Sequence, residues 1–225
     1  AMVDADTWAL LVIGACVLGA LWFANTKIIA PRLRGPPLLE QRADEPVLSL
    51  LLLGPAGTGK STLFRTALAL SGEVSNIESP GPTRGLVRRL LMLPASNQQW
   101  QRCLLCDAGG GRSERRQWVE LVKNEAVGAL VFVASVNDDS DDTLFLFKQL
   151  ANARWAQDAA LLLAITHVDE IDEPVRRQAQ CESRARAYRN VCERPFSIHR
   201  LNACERSAAT ELVCEAVGRL TIAVR

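Results

Sequence analysis

Apolar residues fall into two kinds of pattern along this chain of 225 residues. From Thr7 to Thr26 no side chain is charged, and Trp8-Ala-Leu-Leu-Val-Ile-Gly-Ala-Cys-Val-Leu-Gly-Ala-Leu-Trp-Phe23 is almost wholly apolar. A helix needs ~20 such residues to cross a hydrocarbon core of ~30 Å. The run lacks the polar stripe of a helix lying on a soluble core, so it reads as one transmembrane helix. Beyond residue 46 the apolar runs become short and recurrent. Their periodicity predicts strands at Val47–Leu53, Leu86–Leu93, Arg102–Asp107, Ala129–Ala134, Ala159–Thr166 and Phe196–Asn202. Helical spacing predicts helices at Lys60–Leu70, Glu114–Glu125, Asp142–Trp155, Glu173–Tyr188 and Ser207–Ile222. Strands alternating with helices predict an α/β fold, a mostly parallel sheet with helices on both faces.

Charge refines the organisation. Asp4 and Asp6 precede the apolar run, whereas Lys27, Arg32, Arg34 and Arg42 follow it. A cleaved signal peptide would open with positive charge and have a shorter apolar stretch. The basic flank instead places the C-terminal part on the cytosolic or an equivalent nucleotide-rich side of a membrane, with Trp8 and Trp22 near the two interfaces. The expected division is an anchor over 1–29, a Pro/Arg-rich linker over 30–46 and one domain over 47–225. The last holds roughly 180 residues, enough to bury a sizeable core. A formal net charge of +1 gives no reason to expect nucleic acid as a partner. Seven cysteines, an odd number, point to reduced thiols. Cys103 and Cys106 form a C-x-x-C inside an apolar strand with no second pair at ligand spacing, which argues against zinc or redox chemistry there.

The chemistry begins at Gly54-Pro-Ala-Gly-Thr-Gly-Lys60-Ser61-Thr62, which follows an expected strand and opens an expected helix. This is a Walker-A phosphate loop in strand–loop–helix context. Backbone N–H groups of Gly54, Ala56, Gly57, Thr58 and Gly59, and of the helix start through Thr62, suit a nucleoside triphosphate. Lys60 reaches its β and γ oxygens, and the Ser61 hydroxyl suits Mg²⁺. In a sheet of this class the nucleotide lies across the carboxyl ends of the strands.

Asp107-Ala-Gly-Gly-Gly-Arg-Ser-Glu-Arg-Arg-Gln-Trp118 resembles the third GTPase motif and switch II of heterotrimeric G-protein alpha subunits, D-x-G-G-Q-R-S-E-R-x-x-W. The similarity continues through Leu146–Trp155 and is expected to span nearly all of 47–225. It implies a three-layer, Ras-like P-loop GTPase domain with GTP/GDP and Mg²⁺ as cofactors. Asp107 would hold the metal through water beside Ser61, and the Gly110 N–H would contact the γ-phosphate. Thr83, in Pro82-Thr-Arg-Gly-Leu86, looks like the switch I threonine that closes on Mg²⁺. The tract also resembles the P-T-x-G-F of Arf-type GTPases, and the alternative is a loop residue without a special role. Between Ser61 and Thr83 the chain is too short for the helical domain of alpha subunits. Gly111 occupies the place of the water-orienting glutamine and Pro80 that of the cis arginine. The resemblance therefore implies slow hydrolysis, with Arg84 and Arg112 as nearby cations that could substitute.

For the base, the family's N-K-x-D is Thr166-His167-Val168-Asp169 here. The resemblance makes Asp169 the acceptor for guanine N1 and N2 groups, with His167 stacking on the base and Thr166 replacing the asparagine. Asn202-Ala203-Cys204 would stand for C-A-T, the Ala203 N–H aimed at guanine O6. Asp169 could instead cap the helix near Glu173. Three functions compete: a membrane-tethered GTP switch or slow GTPase; a pseudo-GTPase serving as an accessory subunit of a membrane complex; and a P-loop ATPase, disfavoured because no Asp-Glu pair follows an apolar strand. Expected partners are a guanine nucleotide, membrane lipid through the N-terminal helix, and a protein at switch I/II. The architecture is similar to that of the signal-recognition-particle receptor beta subunit.

Overall fold

The computed structural model describes residues 47–72, 83–124, 127–138, 140–153, 158–202 and 205–223; of 123–124 and 221–223 it describes the backbone alone. The expected membrane helix and linker lie outside these residues. Among the described residues no helix is long and apolar enough to cross a membrane. The strands are β1 (Leu48–Leu53), β2 (Leu86–Pro94), β3 (Trp100–Ala108), β4 (Val127–Ser135), β5 (Ala160–Thr166) and β6 (Ser197–Arg200). They form one sheet in the order β2-β3-β1-β4-β5-β6. β1 pairs in parallel with β3 and β4, β4 with β5, and β5 with β6. β2 alone runs antiparallel, joined to β3 through a tight turn at Ala95–Gln99 where Gln98 adopts φ 64.

The sheet is buried on both faces, which is why β1, β4 and β5 are continuous apolar runs rather than alternating ones. Alternate residues go to opposite sides. Leu50, Leu52, Cys103, Leu105, Val131 and Val133 pack beneath α1 (Lys60–Ser71) and α6 (Arg206–Ala223). Leu51, Leu53, Cys106, Phe132 and Leu163 face α3 (Trp118–Asn124), α4 (Asp141–Ala151) and α5 (Pro174–Val191). Three positions apart on a strand, Cys103 and Cys106 therefore point into different cores and cannot share a metal or a disulfide; burial also pushes the Cys103 thiol up to about 12.

Local signals explain the helix limits. Ser140 caps α4, its hydroxyl accepting from the Thr143 N–H at 3.3 Å, with Asp141 and Asp142 in the first turn. Pro174 occupies the first position of α5. Three expectations needed correction, one being the helix expected over Asp142–Trp155, which ends at Ala151 with Asn152 as its C-cap. The helix expected over Glu114–Glu125 is a single turn, α2 (Arg112–Arg115), followed by α3. The break separates two anchors: Glu114 reaches back to the glycine loop, while the buried Trp118 donates its Nε1–H to the Gly109 carbonyl at 2.9 Å. The last strand is also shorter than expected, ending at Arg200, because Leu201 N–H bonds the end of β5 and the chain then leaves the sheet.

Phe132 is the centre of an aromatic cluster, 6.4 Å from Trp118, 5.2 Å from Phe147 and 6.1 Å from Tyr188 by ring centroids. Removing it leaves a cavity that four covered elements cannot close. Phe132→Ala should destabilise the protein by about 3–5 kcal/mol in denaturant titration.

Candidate functional site

The loop leaving β1 leads towards β2 and β3, whereas that leaving β4 leads to β5 on the other side, so the carboxyl ends of β1 and β4 flank a topological switch point. Residues 54–59 occupy this crevice. Gly54, Gly57 and Gly59 have φ of 149, 79 and 85, which only glycine adopts at little cost. At Gly54 a Cβ would also lie 2.0 Å from the Val133 carbonyl oxygen. α1 starts after Gly59 without a side-chain cap, leaving its first amides for another acceptor.

Lys60, at the start of α1, is buried and donates to the Pro55 carbonyl at 2.6 Å, as the Thr58 hydroxyl does at 2.9 Å. Burial lowers its pKa to about 8, opposed by the Asp107 charge. Thr62, the next residue but one, is packed on the inner side of α1. Asp107 lies at the end of β3, buried at 2 % exposure. Burial raises its pKa, against lowering contributions from the Ser61 and Thr83 hydroxyls and the Lys60 charge.

Three segments far apart in sequence meet at that carboxylate. Ser61 Oγ donates to Asp107 Oδ2 at 2.7 Å, Thr83 Oγ1 donates to the same oxygen at 2.9 Å, and the two hydroxyl oxygens are 2.5 Å apart. Each hydroxyl has one hydrogen. With both directed to an ionised Asp107, none remains for the Ser61–Thr83 contact, and Asp107 Oδ1 is buried without a partner. An all-oxygen donor set of this kind suits a small hard cation that keeps water and phosphate as its other ligands. Among the described residues no cluster of His, Cys, Asp and Glu could hold a metal independently of such a ligand.

The glycine loop after β3 closes on the phosphate loop. Ala56 N–H donates to the Gly110 carbonyl at 3.1 Å, and Arg115 Nε donates to the same oxygen. The Gly110 carbonyl is thus taken up by these two donors. A Cβ on Gly110 would lie 2.5 Å from the Ala56 nitrogen, so only glycine fits this approach. Glu114, which sequence reasoning did not single out, receives Gly85 N–H at 2.7 Å and Gly111 N–H at 3.1 Å, while Gly109 N–H donates to the Gly85 carbonyl. The Gly85 and Gly111 amides hold its carboxyl below the usual range. The available signal was its position three residues after Gly111, the spacing of a side chain returning to a helix start.

On the opposite flank the Thr166 hydroxyl is fully buried and lies 2.8 Å from the Thr58 carbonyl and 3.1 Å from that of Ala134. His167 bonds the Gly57 carbonyl and Glu170. Both side chains are thus engaged with the phosphate loop. Asp169 lies exposed in a 3₁₀ turn, Val168–Glu170; α5 begins at Pro174 with Glu173 as its N-cap, so Asp169 does not cap that helix. Ala203, Cys204 and Pro80 lie outside the described residues. Arg112 lines a groove between α2, α3 and α4, and Arg84 is exposed near Glu114.

No protein-family model matches the chain. It is similar to the guanine nucleotide-binding protein alpha-15 subunit of Caenorhabditis briggsae, 26% identical over 107 residues, covering 42% of this chain and 28% of that protein. A guanine nucleotide-binding protein subunit alpha from Coprinellus congregatus is 30% identical over 125 residues, 48% of this chain and 34% of that one. The alpha-6 subunit of Dictyostelium discoideum is 27% identical over 85 residues, 32% and 24% respectively. The chain thus spans between about a quarter and a third of these relatives' length, and the matched share is smaller than all of 47–225.

The buried Lys60 sets a pH dependence for the ligand-free protein. Its folded pKa of about 8 lies below the ordinary 10.5, so between these values the unfolded chain binds more protons and stability rises with pH. The span corresponds to roughly 2–4 kcal/mol. Lys60→Met should flatten the rise in melting temperature across this window and stabilise the ligand-free protein at neutral pH.

Proposed function

We propose that this protein is a membrane-anchored guanine-nucleotide-binding protein, a GTP- and Mg²⁺-dependent switch with slow or partner-dependent hydrolysis. The observation that carries this reading is the meeting of Ser61, Thr83 and Asp107 beside a glycine-rich loop at the N-terminus of α1. On this reading Gly54, Ala56, Gly57, Thr58, Gly59, Lys60, Ser61 and Thr62 bind the phosphates, Ser61 and Thr83 ligate Mg²⁺, and Asp107 holds its water. The metal would neutralise charge on the β and γ oxygens. Asp169 would read guanine, with Ala203 and Cys204 on the far side of the base. The alpha-subunit relatives and the six-stranded, mostly parallel sheet, with its antiparallel edge strand following Thr83, support this choice over an ATPase.

Gly111 is extended, φ −65 and ψ 153, and has no side chain with which to orient water. Unassisted hydrolysis should therefore not exceed about 10⁻⁴ s⁻¹. One observation favours the second reading, a pseudo-GTPase accessory subunit: Glu114 ties Gly85 to Gly111 through the protein alone. In either case the groove of about 390 Å³ lined by Arg112, Arg115, Arg116, Leu146 and the exposed Phe145 supports a protein partner beside switch II. The N-terminal apolar run and its basic flank support a single crossing with the large domain on the nucleotide-rich side.

Binding of fluorescent GTP and GDP to the full chain, with and without Mg²⁺, tests the reading. Wild type should bind, and Lys60→Ala should lose roughly 10- to 150-fold in affinity, since a buried charge-assisted contact is worth ~1.5–3 kcal/mol. Equal binding by the variant, or preference for ATP, would overturn the assignment. Gly111→Gln should speed single-turnover hydrolysis in the switch reading and leave it unchanged in the accessory one. Protease protection in sealed vesicles tests the topology, with a shielded domain as the contrary result.

A further inference from the structure

Beyond the last pair of the β2–β3 ladder, Leu86 opposite Ala108, the chain continues to Gly85 on one side and to Gly109 on the other. Gly109 N–H still donates to the Gly85 carbonyl at 2.7 Å. Past that point Glu114 spans the gap, its Oε1 accepting from Gly85 N–H at 2.7 Å and its Oε2 from Gly111 N–H at 3.1 Å. The carboxylate lies against the glycine loop: a Cβ on Gly109 would stand 2.3 Å from Oε2 and one on Gly111 3.0 Å from it. Gly110 is pressed onto the phosphate loop. A Cβ built on it would lie 2.7 Å from Lys60 Nζ, so with a C–C bond of ~1.5 Å its Cα is within about 4 Å of that ammonium.

Backbone amides gathered around a turn form a seat for an anion. Here the chain supplies the anion itself. The Gly85 and Gly111 amides, and after them the Arg84 and Lys60 charges, hold the Glu114 carboxyl below the usual range, so it is ionised at neutral pH.

We propose that Glu114 is a positioning residue that competes with the third phosphate of a nucleotide: it fastens Gly85 and the glycine loop over the phosphate loop, and so biases the resting protein towards a nucleoside diphosphate. This rests on the nucleotide-binding reading of the same site. The lysine of a phosphate loop reaches the β and γ oxygens. A third phosphate therefore comes to the ammonium on which Gly110 is pressed, and the loop has to lift to admit it. Lifting breaks both amide bonds to Glu114. The added negative charge also meets that of the carboxylate, and like charges near one site disfavour each other. A diphosphate meets neither obstacle. Arg115, which donates to the Gly110 carbonyl, and Trp118, which donates to that of Gly109, hold the same loop without bringing negative charge. Glu114 alone of these three both ties the loop and repels the third phosphate.

The test measures affinities of the full chain with Mg²⁺ for GDP and for the non-hydrolysable β,γ-imido analogue of GTP, in wild type, Glu114→Gln and Glu114→Ala. The ratio of the two affinities is the readout, because damage to the fold or to the phosphate loop weakens both nucleotides together. In Glu114→Ala the ratio should shift towards the triphosphate by about 3- to 10-fold, the scale of partly exposed charged hydrogen bonds. Glu114→Gln keeps one acceptor oxygen and should fall between. Glu120→Gln, which removes a charge from an exposed position of α3, should keep the wild-type ratio. An unchanged ratio in both Glu114 variants, or an equal shift in Glu120→Gln, overturns the proposal and leaves nucleotide binding standing. Failure of wild type to bind either nucleotide overturns both. Hydrogen exchange of the nucleotide-free full chain reads the tie by itself: the Gly85 and Gly111 amides should exchange slowly in wild type and roughly tenfold or more faster in Glu114→Ala, with the amides of β4 unchanged. Fast exchange of both in wild type, or no acceleration in the variant, rejects the tie and the proposal with it.

Discussion

The geometry of the site depends on one buried carboxylate, Asp107. It lies at the penultimate position of β3 and gathers hydroxyls from the first turn of α1 and from the segment entering β2. Such a group is costly to bury, and its raised pKa expresses that cost. The fold accepts the cost because β1 and β3 are paired in fixed register, Leu52 opposite Asp107, which places the strand end beside the loop that follows β1. Two hydroxyls share one carboxylate oxygen, and the second, Oδ1, is buried without a hydrogen-bond partner among the described residues.

The phosphate loop is held from both sides by different chemistry. Towards β3, the Gly110 carbonyl receives the Ala56 amide in a contact too close for any side chain. Towards β5, Thr166 and His167 receive no backbone amide but bind consecutive carbonyls, Thr58 and Gly57. The loop has little apolar packing of its own, so its shape is set by these hydrogen bonds rather than by burial. Lys60 completes the set internally and pays in desolvation for lying where it does.

Much of this was legible in the sequence. Short continuous apolar runs such as Leu50–Leu53 and Ala129–Ala134, bounded by turn signals, suit strands covered on both faces, and the glycine spacing ahead of Lys60 marks a phosphate loop. The phosphate loop, the Pro82–Leu86 tract and Asp107–Trp118 suggested Ser61, Thr83 and Asp107 as one group, and the three side chains lie within hydrogen-bonding distance of each other. What escaped was chemistry carried by partners rather than by residue type. Nothing in Thr166 marks its hydroxyl as a tie to a loop more than a hundred residues earlier. Glu114 looks like a helix-surface acid until the backbone amides of Gly85 and Gly111 are brought to it. The reversal of β2 was equally hidden, because strand direction depends on the connection and not on the apolar pattern. The split between α2 and α3 arises from Trp118, whose burial and indole hydrogen bond outweigh helical periodicity.

The antiparallel pair β2 and β3 acts as a length gauge. Val87 is opposite Asp107 and Pro94 is opposite Trp100, so the tip of the hairpin and the carboxylate are coupled through a rigid ladder. Thr83 hangs from the open end of that ladder. A slip of one pair would exchange the two faces of β2, and a slip of two would carry Thr83 roughly 7 Å along the strand, well beyond hydrogen-bonding reach of Asp107. Extra residues in the turn at Ala95–Gln99 would leave the gauge reading unchanged, whereas a single residue gained or lost within Leu86–Pro94 would misplace a hydroxyl at the other end of the sheet.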